Sequence, residues 1–156
     1  MKLWLLRHGQ AEPQVSTDAE RALTERGWRE AKDSAERLIG RPIKAILVSP
    51  YRRAQETAQQ VCNSLNYQGP VETVDWIIPD ASAEDALRHL DTRTEDELLL
   101  VTHQNFVGEL GCLLVEGHTG DSLPLATGSL AELEGVAIAA GLMQLRSLYH
   151  PNGSPH

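Results

Sequence analysis

Residues 3–9 read LWLLRHG. The run from Leu3 to Leu6 has no polar position to mark a wet face, so it reads as a strand covered on both sides. It stops at Arg7 and His8, two cation-capable side chains, followed by a glycine. Alone, that ending is an ordinary solvated strand end. It recurs, however. Ala45–Val48 runs into SPYRRA (residues 49–54), and Leu98–Thr102 runs into His103 within VTHQN (residues 101–105).

Between these apolar runs lie amphipathic stretches, the pattern of an α/β domain. After the first strand, Thr24 reads as an N-cap, and Trp28, Ala31, Ala35, Leu38 and Ile39 follow at helical spacing until Gly40 and Pro42. Ser49-Pro50 reads as an N-cap and first-turn proline, opening a helix with Ala54, Ala58, Val61 and Leu65 inward. A short strand and loop occupy 68–80. Ser82 with Asp85 is a capping-box variant for a helix to Leu90. Phe106, Val107, Leu110 and Leu114 mark another helix, stopped by Gly117. Ser129–Glu134 and Leu142–Tyr149 read as strands closing one edge. The expectation is one three-layer α/β/α sandwich over residues 1–149, its sheet mostly parallel with an antiparallel edge. Residues 150–156, HPNGSPH, read as a flexible tail.

Composition narrows the functional classes. The 156 residues are 41% hydrophobic and 23% charged, enough for a core without metals or disulfides. A formal net charge of −8 disfavours a nucleic-acid or anionic-membrane binder. Cys62 and Cys112 have no metal-like or redox-like spacing and sit in helical patterns, as buried free thiols do. No apolar run reaches the length of a membrane span, and the first run is too short for a signal peptide. A cytoplasmic protein is expected, with no membrane or nucleic-acid partner.

In open α/β sheets, ligands bind beyond the carboxyl ends of the strands. Each of the three clear strands delivers Arg or His to that edge. Arginine forks, histidines and the N–H groups of a helix start suit a tetrahedral oxyanion, and phosphoryl best of all because it carries the most charge. There is no Walker-type loop, no aspartate pair for magnesium and no His/Cys cluster, and arginines are poor neighbours for a cation. A metal-free, cofactor-free phosphoryl site needs its own nucleophile. A neutral imidazole is the best candidate present, and nearby arginines help to keep it neutral.

At this point the chain resembles the histidine phosphatase superfamily, which includes the cofactor-dependent phosphoglycerate mutases. The matching segments are LLRHGQAE (5–12), LTERG (23–27), SPYRRAQETA (49–58) and VTHQNFVG (101–108), in the family's order. The resemblance implies that His8 is the phosphorylated nucleophile and that Arg7, Arg53 and His103 complete the phosphate pocket. In the family's Ser-Pro-x-x-Arg-Ala pattern the arginine directly precedes alanine, which carries over Arg53 and leaves Arg52 as a rim charge meeting substrate. Ser49, which opens the same segment, is expected to bind substrate together with Arg7, Arg53 and Arg52. DAERALTERG (18–27) is similar to the Asp-x-x-Arg-x-Leu-Thr signature of the small SixA-type phosphohistidine phosphatases, with Ala22 where many have proline. No residue clearly matches the glutamate that acts as general acid in the mutases; Asp80 and Asp18 are the candidates.

These residues imply a metal-independent, two-step hydrolase that forms a phosphohistidine enzyme at His8. The expected substrate is a phosphohistidine-bearing signalling protein, such as a histidine phosphotransfer domain, met by a monomer. Two alternatives stay open: a small-molecule phosphomonoesterase of the same superfamily, and a non-catalytic phosphoryl-binding module. The protein substrate is preferred because the 54–102 stretch leaves little chain for a lid, and because a phosphoramidate nitrogen needs less help from a general acid than an alkoxide does.

Overall fold

A computed structural model describes residues 1–151. Its strands are β1 (Lys2–Arg7), β2 (Ala45–Val48), β3 (Val71–Thr73), β4 (Glu97–Thr102), β5 (Leu130–Gly135) and β6 (Met143–Tyr149). Its helices are α1 (Glu25–Glu36), α2 (Arg52–Leu65), α3 (Ala83–Asp91) and α4 (Phe106–Glu116). They build one six-stranded sheet in the order β3-β2-β4-β1-β5-β6. The β1–β4, β2–β4 and β2–β3 pairs are parallel, while β5 and β6 are antiparallel additions.

The apolar runs of β1, β2 and β4 are continuous because both of their faces are covered. Leu3, Leu5, Leu47, Leu98 and Leu100 pack with Ala86 and Leu90 of α3 and Phe106 and Leu110 of α4. Trp4, Leu6, Ile46, Val48, Leu99 and Val101 point the other way, onto Ala35 near the end of α1 and Ala54, Ala58 and Val61 of α2. That is the expected three-layer sandwich with an antiparallel edge. Among the described residues, no helix is long and apolar enough to cross a membrane. Both cysteines are free, Cys62 half-buried and Cys112 buried.

Several local readings hold. Thr24 caps α1 by accepting from the Gly27 N–H, Ser82 caps α3 by accepting from Asp85, and Gly117 ends α4 at a φ of 87°. Two do not. Ile39 is not on the inner face of α1: the helix stops at Glu36, the chain turns through Gly40 at a φ of 85°, and Ile39 is left 61% exposed. Ser49-Pro50 does not cap α2 either; Tyr51 holds that position without a side-chain bond, and the helix proper begins at Arg52. The Ser49 hydroxyl has another partner, described below. Of the expected tail, His150 lies against Ser129 (2.6 Å) and Pro151 is buried, while residues 152–156 lie outside the described residues.

Candidate active site

Three neighbouring strands end in register. His8, Ser49 and His103 are each the first residue past β1, β2 and β4, and the backbone ladder runs one step further to hold them. The His8 N–H donates to the Thr102 carbonyl (3.0 Å) and the Ser49 N–H to the Val101 carbonyl (3.1 Å). The side chains at this edge are buried: His8 is 7%, Ser49 0%, Arg53 4% and His103 1% exposed.

His8 Nδ1 lies 2.7 Å from the Gly9 carbonyl oxygen. A carbonyl only accepts, so Nδ1 carries the hydrogen and the lone pair sits on Nε2. Nε2 faces Arg53, whose Nε donates to it at 3.3 Å. Burial, with Arg53, Arg7 and Arg21 adding positive charge nearby, pushes the His8 pKa down to about 3 against the lift from the Gly9 contact. His8 is therefore a neutral imidazole at physiological pH, with its lone-pair nitrogen turned toward a guanidinium.

His103 crosses the His8 ring edge-on, with ring centroids 5.1 Å apart. Its Nε2 meets Ser49 Oγ at 2.8 Å, and Ser49 Oγ also accepts from the Tyr51 N–H at 3.2 Å. Burial first, then the neighbouring His8 and Arg53, lower its pKa to about 2. Burial and the positive charge around it thus favour the neutral ring in the free protein. Ser49 serves as the bracket for this ring rather than as a helix cap. Among the described residues, three buried side-chain polar atoms have no hydrogen-bond partner: Arg26 Nε, Arg7 Nε and His103 Nδ1. Two of these three belong to residues at the strand ends, where an oxyanion would supply an acceptor. Arg7, half-buried, is steadied by donating from Nη1 to the Leu125 carbonyl (2.9 Å).

The two candidate acids part company. Asp18 lies at this site: its Oδ2 accepts from Arg53 Nη2 (3.1 Å), its Oδ1 from Arg21 Nη1 (3.0 Å), and its backbone carbonyl from Arg53 Nη1 (2.7 Å). Arg21 first, with Arg53, holds its carboxyl below the usual range despite partial burial. Two arginines thus hold Asp18 as a carboxylate in the free protein. Asp80 is exposed in the turn after Ile77 and makes no hydrogen bond or ion pair with the described residues. Arg52 projects outward, with its side chain 58% exposed and 3.4 Å from Glu56.

Residues that sequence reasoning missed hold this edge together. The Thr57 hydroxyl accepts from the Gly9 N–H (3.1 Å) and donates to the Arg53 carbonyl (2.8 Å), tying the loop after His8 to α2. Buried Glu30 accepts from the Gln10 N–H (2.8 Å) and from Thr127 (3.1 Å). The Tyr51 ring stands 5.1 Å from the His103 ring and 5.1 Å from the Arg53 guanidinium carbon. Gly9 and Gly27 permit a close backbone crossing: a Cβ on Gly9 would lie 2.3 Å from the Gly27 carbonyl oxygen, and one on Gly27 would lie 2.1 Å from that of Gln10. The glycines of RHG and LTERG are two halves of one contact, a pairing visible only in three dimensions.

Comparison with known proteins bears on this geometry. Residues 3–77 match the model of the histidine phosphatase superfamily, branch 1. The chain is 32% identical over 122 residues to the phosphohistidine phosphatase SixA homolog of Haemophilus influenzae, covering 70% of this chain and 74% of that one. It is 30% identical over 124 residues to phosphohistidine phosphatase SixA of Escherichia coli, covering 76% and 77%. A solved structure of the protein histidine phosphatase SixA complexed with tungstate superposes with a TM-score of 0.86 at 26% identity, covering 97% of each chain.

Proposed function

The chain belongs to the histidine phosphatase superfamily, and from that premise we propose that it is a phosphohistidine phosphatase acting on a phosphohistidine-bearing protein. The observation that carries the chemistry is the pair of bonds on His8, which fixes the lone pair on Nε2 and aims it at Arg53. In the first step Nε2 attacks phosphorus in line, an N–P bond forms, and the P–N bond to the substrate imidazole breaks. The departing nitrogen takes its proton from solvent. In the second step water attacks phosphorus, the His8 N–P bond breaks, and inorganic phosphate leaves. Arg53, Arg7 and His103 supply the donors where charge spreads over the equatorial oxygens. His103 meets Ser49 through Nε2 and leaves Nδ1 unpartnered, and the tautomer with its hydrogen on Nδ1 serves this purpose.

The substrate class follows from the leaving group. Transfer from one imidazole to another exchanges like for like, so it needs no strong acid, and the one carboxylate held against Arg53 is ionised. A protein substrate such as a histidine phosphotransfer domain and a cytoplasmic setting complete this reading. The test is the ratio of kcat/KM for a phosphohistidine-bearing protein to that for small phosphate esters. We expect the protein to win by more than about tenfold, roughly 1.4 kcal/mol of transition-state preference. A sugar or nucleotide phosphate winning by that margin contradicts the assignment.

A further inference from the structure

In the free protein all three nitrogens of Arg53 are engaged, although Nη1 and Nη2 each keep a second N–H. Nε is given to His8, Nη1 to the Asp18 carbonyl and Nη2 to the Asp18 carboxylate. A phosphoryl group bonded to His8 Nε2 lies within reach of this guanidinium, where it meets the Asp18 carboxylate as a rival anion for Nη2 and for the positive charge. We propose that Asp18 is an intramolecular competitor for the phosphoryl pocket: its carboxylate occupies Arg53 and Arg21 in the free protein, yields to the substrate's phosphoryl group, and returns to expel inorganic phosphate. This rests on the phosphatase reading above and adds a device to the same site.

The construction around Asp18 suits exchange. It opens a short 3-10 turn, Asp18–Glu20, that contains no buried residue and whose preceding Thr17 makes no capping bond. The Asp18 side chain is 43% exposed, whereas its partner on Arg53 is 5% exposed. The flanking chain is anchored instead at its two ends, where Ala11 bridges Leu23 and the Glu12 N–H donates to the Ala22 carbonyl (2.8 Å). Between those anchors, Pro13, Val15, Ser16 and Thr17 border an open cleft of about 450 Å³ shared with Pro50 and Arg52, so the turn has room to move.

Charge gives the exchange its direction. A carboxylate arriving from a protein surface replaces one negative charge with another and gains little. A dianionic phosphoryl group brings more charge and also reaches Arg7 Nε and His103 Nδ1, which Asp18 leaves unpartnered. Once the group is released as phosphate, Asp18 is a tethered anion at high effective concentration and speeds its departure.

Calorimetric titration of inorganic phosphate into wild type, Asp18→Asn and Asp18→Ser tests this. Loss of the competitor should tighten phosphate binding by about fivefold in both variants, the scale of a half-exposed ion pair, and deepen product inhibition correspondingly. A purely structural role, in which Asp18 merely orients Arg53, predicts weaker binding, so unchanged or weakened affinity in both variants overturns the proposal. Wild type that binds no phosphate at all would instead overturn the phosphoryl reading of the pocket itself.

Discussion

The strand-end cluster and the 13–20 segment lie side by side but are built in opposite ways. His8 and Ser49 continue the ladder of adjacent parallel strands, His103 stands at the end of the strand between them, and all three are almost wholly buried. The 13–20 segment hangs between two anchors, buries nothing in its 3-10 turn, and leaves Val15 97% exposed. The first region fixes atoms for bond making, where a small displacement is costly; the second adjusts to whatever arrives. The proposed chemistry falls on the rigid part and the proposed exchange on the loose part.

The sharpest way to break that division is to change one residue from each side. His8→Ala should lower phosphohistidine hydrolysis by about ten-thousandfold or more, because the proposed N–P bond forms on its Nε2. Asp18→Asn should keep turnover within about tenfold of wild type, since Asp18 contributes no bond to the reacting atoms. Equal losses in steady-state assays would erase the distinction between the two regions.

A smaller effect separates the adjacent arginines. Arg53→Ala removes a buried donor next to Nε2 and should cost about a thousandfold in kcat/KM. Arg52→Ala trims an exposed rim charge and should cost less than about tenfold. A larger loss at Arg52 would place the phosphoryl group farther out than this account does.

Stability distinguishes the regions too. Gly27→Ala drives a methyl into the Gln10 backbone and should destabilise by about 3 kcal/mol, lowering Tm by about 8 °C. An unchanged Tm in a thermal melt would mean that the crossing of the two glycine loops is not tight.

The smallest effect is the pH slope. An imidazole whose folded pKa lies below its unfolded value stabilises the fold above the unfolded pKa and loses that contribution as pH falls toward the folded one. Burial sets His8 at about 3 and His103 at about 2, from an ordinary 6.5. The loss therefore begins as pH drops through about 6.5, at up to about 1.4 kcal/mol per pH unit for each ring. Denaturant unfolding between pH 7 and pH 5 should show a shallower slope for His103→Asn than for wild type. Identical slopes would mean that the ring is charged when folded.

Much of the rigid region was readable from residue types alone. A strand covered on both faces writes itself as an uninterrupted apolar run, so β1, β2 and β4 and the Arg and His residues at their ends stand out without coordinates. Thr24 and Gly117 announce helix ends because capping is local chemistry. Ser49 misled because a serine before a proline also looks like a cap, and only the fold brings the His103 ring to its hydroxyl. Thr57 and Glu30 were hidden for a related reason: each sits on a helix among ordinary inward positions, and its partner is a backbone N–H far away in sequence. Asp18 was visible as a carboxylate near the site, but the two arginines that hold it converge on it only in three dimensions.

The central claim, a covalent intermediate on Nε2 of a neutral His8, is tested most directly by single-turnover labelling. A protein carrying radiolabelled phosphohistidine is mixed with excess enzyme and quenched in alkali within milliseconds, and the label is mapped by proteolysis. The account predicts a transient, alkali-stable and acid-labile phosphoryl group on the peptide containing His8, rising and decaying ahead of free phosphate and absent in His8→Ala. Release of phosphate at the full wild-type rate by His8→Ala, or a label that maps to His103, would contradict it.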